Sequence, residues 1–97
     1  MTEARFDEIV HAPQRLRILS MLDAIQGDLE FSALRDALGV ADSVVSKHVK
    51  VLADADYVSV HKAAVLGRQR TWIRMTARGG DAYAAHVAAL REIVAPR

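Results

Sequence analysis

The stretch 42–54 carries the side chains that could do chemistry, and their spacing is helical. At about 100° per residue, a helix here turns Val45, Val49 and Leu52 to one side. The opposite side and its flanks carry short or basic side chains: Ser43, Val44, Ser46, Lys47 and Lys50. Serine and lysine donate hydrogen bonds to phosphates or base edges, and an exposed valine can contact a thymine methyl group. This face predicts contact with a polyanion, first of all duplex DNA, although a solvated helix could show two lysines by chance.

A second group of polar side chains lies around Gly67. Apolar and polar residues alternate over 58–61 and again over 72–75, which predicts two strands joined by a turn at this glycine. The side chains nearest the turn are basic or carry an amide: Lys62, Arg68, Gln69 and Arg70. An arginine at a hairpin tip can enter a DNA minor groove, where the negative potential is strongest when the groove is narrow. Polar hairpin tips are also ordinary, so this turn gains weight only beside the 42–54 helix.

The formal net charge of +1 conceals an uneven distribution of charge along the 97 residues. Residues 1–40 carry four basic side chains against seven acidic ones, whereas residues 41–80 carry seven basic against three acidic. Clustered basic charge matters more to a polyanionic partner than the net charge of the whole chain. The basic excess therefore coincides with the predicted helix and hairpin, although ordinary surface charge would also account for it.

Several classes of chemistry are excluded by what the sequence lacks. There is no cysteine, so disulfides, thiolate metal sites and cysteine nucleophiles are excluded, and a reducing cytoplasm suits the chain. The four histidines are scattered, with no pair at i and i+4, so we expect no metal site. No nucleophile–base set, paired-carboxylate motif or phosphate-binding glycine loop appears. The sequence therefore predicts that the protein is not an enzyme and that it binds no cofactor.

Helices and a small sheet are expected to position these two groups. The first half of the chain predicts an opening helix over 3–10, a break at 11–13, a helix from about Pro13 to Gln26 ended by Gly27, a brief strand over 28–31, and a helix over 33–38 capped by Ser32 and closed by Gly39. The second half predicts the 42–54 helix capped by Asp42 or Ser43, the hairpin, and a last helix from Thr76, its cap, to about Val94, ended by Pro96. This order predicts an α+β, mainly α fold: a winged helix-turn-helix with a two- to three-stranded wing and a C-terminal helix.

Six short motifs along the chain carry a family resemblance. They are His11-Ala12-Pro13-x-Arg15-Leu16-x-Ile18-Leu19, Phe31-Ser32-x-Leu34, Ser46-Lys47-His48-Val49-Lys50-x-Leu52, Tyr57-Val58, Arg70-Thr71 and Met75-Thr76-x-x-Gly79. Across about residues 5 to 92 the chain resembles the small winged-helix transcriptional regulators related to the MarR and ArsR families. The resemblance implies a bacterial or archaeal repressor-type regulator that dimerises and reads a pseudo-palindromic operator. The 42–54 helix would lie in the major groove, and the 62–71 wing on the minor groove or the backbone.

Two departures from those families bear on the signal that such a regulator would sense. ArsR-type sensors bind metal through cysteines or through histidine and carboxylate clusters, and this sequence has no cysteine and no matching histidine cluster. Longer MarR-type proteins hold a ligand between extended terminal helices and the winged domain, whereas the terminal helices predicted here are short. A small-molecule effector, if the protein uses one, is left without an identified site.

Dimerisation is expected because a single winged domain buries little DNA surface and would bind specifically only weakly. Two copies related by a two-fold axis would place their helices about 34 Å apart, one turn of duplex. The residues predicted to pair belong to the first and last helices: Phe6, Ile9, Val10, Tyr83, Val87, Leu90 and Val94. Alanines along the last helix permit a second helix to approach closely.

The whole chain, residues 1–97, is predicted to be one winged-helix DNA-binding domain with terminal helices for dimerisation. We expect it in the cytoplasm and not in a membrane, because no apolar run approaches the roughly 20 residues that cross a bilayer and segment 3–8 is too charged for an export signal. Its expected partners are double-stranded DNA and a second copy of itself. The alternative is a winged-helix module whose 42–54 face binds a protein instead of a duplex.

Overall fold

The computed structural model describes residues 2–96, which form helices around a small sheet. The elements are α1 (Glu8–His11), α2 (Pro13–Ile25), β1 (Asp28–Glu30), α3 (Phe31–Leu38), α4 (Asp42–Asp54), β2 (Val58–Val65), β3 (Arg68–Met75) and α5 (Ala77–Val94). The three strands pair antiparallel in the order β1-β3-β2. A mainly helical α+β fold with a helix-turn-helix, a hairpin and a C-terminal helix is therefore confirmed.

The core lies where the apolar sides of α2, α3 and α4 meet one face of the sheet. Its largest fully buried apolar side chains are Val10, Ile18, Leu19, Leu22, Leu34, Val45, Leu52 and Ile73. Burial of one such side chain stabilises the fold by about 1.5–3 kcal/mol relative to leaving it in water. The same contacts fix the direction in which the other side of α4 points.

The predicted opening helix over 3–10 is wrong in its start, because α1 begins only at Glu8. Asp7 caps it: the carboxylate accepts hydrogen bonds from the backbone N–H groups of Ile9, at 2.8 Å, and Val10, at 3.0 Å. The preceding segment is outside the helix, and the N–H of Arg5 donates to the carbonyl of Ala85 in α5. The chain therefore enters the fold along the last helix. The predicted break holds, since Pro13 begins α2.

Other helix ends differ from the prediction by one or two residues. The left-handed residue that ends α2 is Gln26, with φ of 58°, and not Gly27. Helix α3 begins at Phe31, before Ser32, which is therefore not its cap. Helix α4 is preceded by Ala41 and has no side-chain cap, because the Asp42 carboxylate accepts from Arg35 instead. Gly39 and Thr76 end α3 and cap α5 as predicted, the latter with its hydroxyl accepting from the N–H of Gly79.

The β2–β3 hairpin extends past the third strand. Strand β1 pairs only with positions 72–74 of β3, while β2 pairs with β3 from Val58↔Met75 to Val65↔Arg68. The four outermost pairs therefore project beyond β1 by about 13 Å, at about 3.3 Å per residue. Two left-handed residues, Leu66 and Gly67, form the turn. We call this projecting part, residues 62–71, the wing.

Candidate nucleic-acid interface

Helix α4 separates its apolar and polar sides as the sequence predicts. Val45 and Leu52 have no exposed surface, and Val49 is buried beside them. Facing outward are Ser43, Ser46, Lys47 and Lys50, which are exposed, and Val44, which is half-buried. These five residues are called the outer face of α4 below. The buried side holds the helix against the core, so the outer face has a fixed direction.

The turn between α3 and α4 is held from both sides. Gly39 ends α3 in the left-handed conformation, with φ of 67°, which glycine adopts without a steric cost. The Arg35 guanidinium then contacts Asp42 at 3.2 Å, across the turn, and its neighbour Asp36 at 3.1 Å. Exposed ion pairs of this kind contribute little stability. Their effect is to order the short connection that sets the angle between the two helices.

His48 connects α4 to the first helices. Its Nδ1 lies 3.2 Å from Nη1 of Arg15, whose Nε donates to the carbonyl oxygen of Ile9 at 2.6 Å. Since a guanidinium only donates, the Nδ1 of His48 accepts and the ring is neutral in this arrangement. Burial, together with the charges of Arg15 and Lys47, lowers the pKa of His48. The hydrogen-bond partner of His48 is therefore the side chain of Arg15.

The two lysines of the outer face differ in their surroundings. The Nζ of Lys50 lies 3.1 Å from the Asp54 carboxylate, one turn further along α4, and both side chains are largely exposed. Lys47 is also exposed, and within residues 2–96 it makes no ion pair. A solvated i,i+4 pair contributes only about 0.3–0.5 kcal/mol. Both ammonium groups are therefore available to a polyanion.

Two arginines of the hairpin are held by the acidic residues of β1. Nη1 of Arg70 lies 2.5 Å from the Glu30 carboxylate, and Nε of Arg74 lies 2.7 Å from that of Asp28. The hydrogen bond from Arg70, with one from Ser32, lowers the pKa of Glu30, and that from Arg74 lowers the pKa of Asp28. Both carboxylates therefore stay charged. Among the predicted wing contacts, Arg70 is thus committed within the chain, whereas Lys62, Arg68 and Gln69 are exposed.

The strand register divides the wing residues between two faces. Successive side chains of a strand point to opposite sides, so Lys62 and Gln69 share the face of the buried Ile73, while Arg68 and Arg70 lie on the other. The first face also borders α4. A groove of about 410 Å³ runs between them, lined by Phe31, Ser46, Val49, Lys50, Ala53, Val60 and Thr71. The outer face of α4 and the Lys62 side of the wing therefore flank one groove.

A cluster that the sequence did not predict joins α1 to α5. We call it the N-terminal cluster; it consists of Asp7, His11, Tyr57 and His86. The Tyr57 hydroxyl donates to the Asp7 carboxylate at 2.5 Å, and the N–H of Asp7 donates to Nδ1 of the fully buried His86 at 2.9 Å. Nε2 of His86 lies 3.1 Å from Nδ1 of His11. Histidines that look scattered in the sequence therefore meet in space, which their spacing alone could not reveal.

The N-terminal cluster shifts the ionisation of its own members. Burial raises the pKa of Asp7, but hydrogen bonds from Tyr57 and from the N–H groups of Val10 and Ile9 outweigh it, and the pKa is lowered overall. Burial and the neighbouring His11 lower the pKa of His86, against the opposing effects of Asp7 and Glu8. Asp7 is therefore held charged and His86 neutral. Within residues 2–96 no three histidine or acidic side chains are grouped so as to hold a metal ion.

The residues predicted to pair two copies differ in exposure. Phe6 is 41 % exposed, and its ring packs at a tilt against His11 and edge-to-face against His86, with centroids 4.6 and 4.7 Å away. Val94 is 77 % exposed and Ile93, which the sequence reasoning missed, is also exposed. Ile9, Tyr83, Val87 and Leu90 are half-buried. Val10 is fully buried in the core of its own chain, so it has no surface to offer a partner.

An open cleft of about 640 Å³ lies beside the N-terminal cluster, between the entering segment and α5. Alanines of α5 supply its apolar lining, and its polar lining comes from Thr2, Glu3, Arg5, Asp7, Tyr57, Arg78 and Asp81. The guanidinium of Arg78 lies 6.0 Å from the centre of the Tyr57 ring. Acidic and basic groups both line the cleft, so its charge selects no class of ligand.

Across the described residues, no helix is long and apolar enough to cross a membrane.

A helix-turn-helix with a lysine-bearing second helix, followed by a hairpin wing, defines a winged-helix domain. The chain belongs to the family described as "Winged helix DNA-binding domain", whose profile matches residues 14–94. The predicted winged helix DNA-binding domain is therefore confirmed. The chain is also 29 % identical over 76 residues to an uncharacterized protein of Methanocaldococcus jannaschii, a match covering 78 % of this chain and 82 % of that protein.

Solved structures share the same fold. A transcriptional regulator homologue of Pyrococcus horikoshii superposes with a TM-score of 0.82 at 23 % identity, covering 91 % of this chain and 86 % of that one. A protein of Enterococcus faecalis, named as a transcriptional regulator of the MarR family, gives a TM-score of 0.72 at 20 % identity, covering 88 % and 74 %. The adhesin competence repressor of Streptococcus pyogenes gives 0.69 at 23 %, covering 91 % and 62 %. At identities of 20–23 %, these similarities show a shared fold and nothing more.

Proposed function

We propose that this protein is a sequence-specific DNA-binding transcriptional regulator, acting in the cytoplasm as a dimeric repressor. Each copy reads one half of a pseudo-palindromic operator, with α4 in the major groove and the wing on the minor groove or the backbone. The observation that carries the proposal is the outer face of α4. It presents two serines, a valine and two lysines outward from a helix whose other side is fully committed to the core.

The chemistry of this face suits a duplex. Lysines at positions 47 and 50 can neutralise phosphates, and the short side chains near the start of α4 allow the helix to approach base edges. The exposed Lys62 lies on the wing face that borders the same groove, so basic groups flank α4 on the wing side. Neither Lys47 nor Lys62 forms an ion pair within residues 2–96. Their charges are therefore available to an external polyanion.

Dimerisation belongs to the same proposal. Two reading helices about 34 Å apart would fall on successive turns of the major groove. The exposed apolar side chains Phe6 and Val94, with the half-buried Tyr83, Val87 and Leu90, supply the pairing surface that α5 and the entering segment offer. Val10 is removed from the surface predicted from sequence, and Ile9 contributes only an edge.

The test is the double substitution Lys47→Ala and Lys50→Ala, assayed on the duplex that the wild-type protein enriches from a randomised pool. We expect binding to be abolished at moderate salt, because each lost phosphate or base contact weakens affinity and the two act together. The matched control is Arg91→Ala, which removes an exposed basic side chain from α5. Its oligomeric mass is measured alongside, so that a pairing effect is recognised.

Two outcomes contradict the proposal. Equal binding by the double variant and the wild type would exclude α4 as the reading helix. A wild-type protein that retards no duplex even at low salt would point to the alternative, in which the outer face of α4 binds a protein. A steep loss of affinity with rising salt supports DNA, because bound phosphates release their counterions.

A further inference from the structure

The tip of the wing carries an exposed leucine in an unfavourable backbone conformation. Leu66 is 98 % exposed, with φ of 53°, and Gly67 follows with φ of 77°. Two-residue turns with both residues left-handed favour asparagine or aspartate followed by glycine, because a larger side chain clashes with its own backbone there. An apolar side chain at this position therefore gains neither burial nor an easy turn. Strain retained at an exposed site directs attention to a role outside the chain.

The surroundings of Leu66 are apolar at the tip and basic behind it. Val65, next to the turn, is 39 % exposed. Behind them stand the exposed Lys62 and Arg68, one on each strand and on opposite faces. The other basic residue of the wing, Arg70, is held by Glu30. Of the two arginines that the sequence offered for the minor groove, Arg70 is thus held, Arg68 remains exposed beside the turn, and Leu66 occupies the tip itself.

We propose that Leu66 enters the minor groove of duplex DNA as an apolar wedge, in contact with sugars and the edges of a base step. Proteins that bind the minor groove use leucine, among other apolar side chains, to part base steps and bend the duplex. Lys62 and Arg68 then contact the phosphates on the two sides of the groove. The proposal rests on the proposed function; it assigns the contact inside the minor groove to Leu66 and leaves Arg68 and Lys62 on the phosphates.

The reach and charge of the wing favour DNA as the occupant over a protein. The wing projects about 13 Å past β1, and its Lys62 side borders the groove beside α4. A duplex seated on the outer face of α4 therefore passes within reach of the wing. Basic groups on both faces behind an apolar tip complement a groove walled by two phosphate strands. An apolar pocket on a protein partner would offer no counter-charge to Lys62 and Arg68.

The experiment compares Leu66→Asn with Leu66→Met on the duplex that the wild-type protein enriches from a randomised pool. Asparagine suits the left-handed turn, so we expect Leu66→Asn to leave the unfolding midpoint unchanged or higher. Its affinity for the duplex falls about tenfold, because the apolar contact is lost. Leu66→Met keeps the apolar side chain and binds within about threefold of wild type. The slope of log affinity against log salt stays the same in both, since no charge changes.

Base unstacking gives a second readout. With 2-aminopurine placed at successive positions of the duplex, wild-type protein raises the fluorescence at the step beneath the wing, and Leu66→Asn does not. If Leu66→Asn binds the duplex as tightly as the wild type and raises the 2-aminopurine fluorescence equally, the wedge proposal is wrong while DNA binding stands. A change in oligomeric mass in Leu66→Asn also overturns it, by assigning the leucine to contact with a second copy. If the wild-type protein binds no duplex at low salt, the proposed function and the wedge fall together.

Discussion

The N-terminal cluster and the outer face of α4 both contain charged or polar groups, but these groups are buried and paired in the cluster and exposed to water on α4. In the cluster, Asp7, Tyr57 and His86 are largely removed from water and satisfy one another through short hydrogen bonds. On α4, Lys47 and Lys50 remain in water, with one solvated ion pair between Lys50 and Asp54. The hydrogen bonds of the cluster hold the segment that precedes α1 against α5. The lysines of α4 stay available to a partner.

The difference has a thermodynamic reason. A buried polar group left without its partner costs about 1–3 kcal/mol, so the members of the cluster depend on one another. Exposed lysines contribute almost nothing to stability, and replacing them costs the fold little. Substitutions in the cluster should therefore change stability first, whereas those on α4 should change binding alone.

The largest effect is expected at Gly79, where α5 passes the backbone of Tyr57. A Cβ atom added at this glycine would lie 2.0 Å from the Tyr57 carbonyl oxygen, and backbone must move to admit it. We expect Gly79→Ala to destabilise the protein by about 3 kcal/mol, measured by urea unfolding. Gly80→Ala is the matched control, because its Cβ would meet nothing closer than Met75 Cε at 3.6 Å. The control should be neutral or stabilising, and equal losses in both would contradict the account.

Next in size is the hydrogen bond between Tyr57 and Asp7. Tyr57→Phe removes the donor from a carboxylate, and hydrogen bonds to charged groups contribute about 1.5–3 kcal/mol. We expect a loss of about 2 kcal/mol in unfolding free energy, with no loss of DNA affinity at a temperature where the variant is folded. Tyr83→Phe removes a hydroxyl from a half-buried tyrosine of α5 and serves as the control. A Tyr57→Phe variant as stable as wild type would remove the cluster from the stability account.

A smaller effect is expected from pH. The folded-state pKa values of His86 and His48 lie below the ordinary value of 6.5, so the unfolded chain binds more protons below that pH. Unfolding free energy should therefore fall as pH decreases from 6.5 toward the folded pKa values. A second loss, from Asp7, should follow as pH falls below 3.8. Stability that rises between pH 7 and 5.5 in urea titrations would mean that these histidines gain protons on folding.

Local patterns predicted the outer face of α4, while the N-terminal cluster needed the structure. Val45, Val49 and Leu52 recur at helical spacing, so their burial and the opposite face follow from the sequence alone. Asp7 and His86 are 79 positions apart, and no periodicity connects them. The capture of Arg70 by Glu30, across 40 positions, escaped prediction for the same reason. Long-range polar contacts of this kind depend on the assembled fold.

The predicted helix ends were wrong where the expected capping side chain had another partner or the helix began earlier. Serine is a common helix cap, yet α3 begins at Phe31, one residue before Ser32. The helix follows directly on β1, which ends at Glu30 and pairs with β3. Asp42 could have capped α4, but its carboxylate contacts Arg35 across the turn. In each case a local preference was overridden by a neighbouring strand or a charge. The Thr76 hydroxyl donates to the carbonyl of Asp56 and can still accept from the N–H of Gly79, so Thr76 caps α5 as predicted.

The most direct test of the separation is the salt dependence of DNA affinity, measured for the wild type and for Lys47→Ala/Lys50→Ala on the wild-type-selected duplex at low salt. We expect a steep wild-type slope of log affinity against log salt, and a variant slope shallower by about two. The unfolding free energy of the variant should stay within about 0.5 kcal/mol of wild type. An unchanged slope, or a slope near zero in the wild type, would contradict the assignment of α4 as the reading helix.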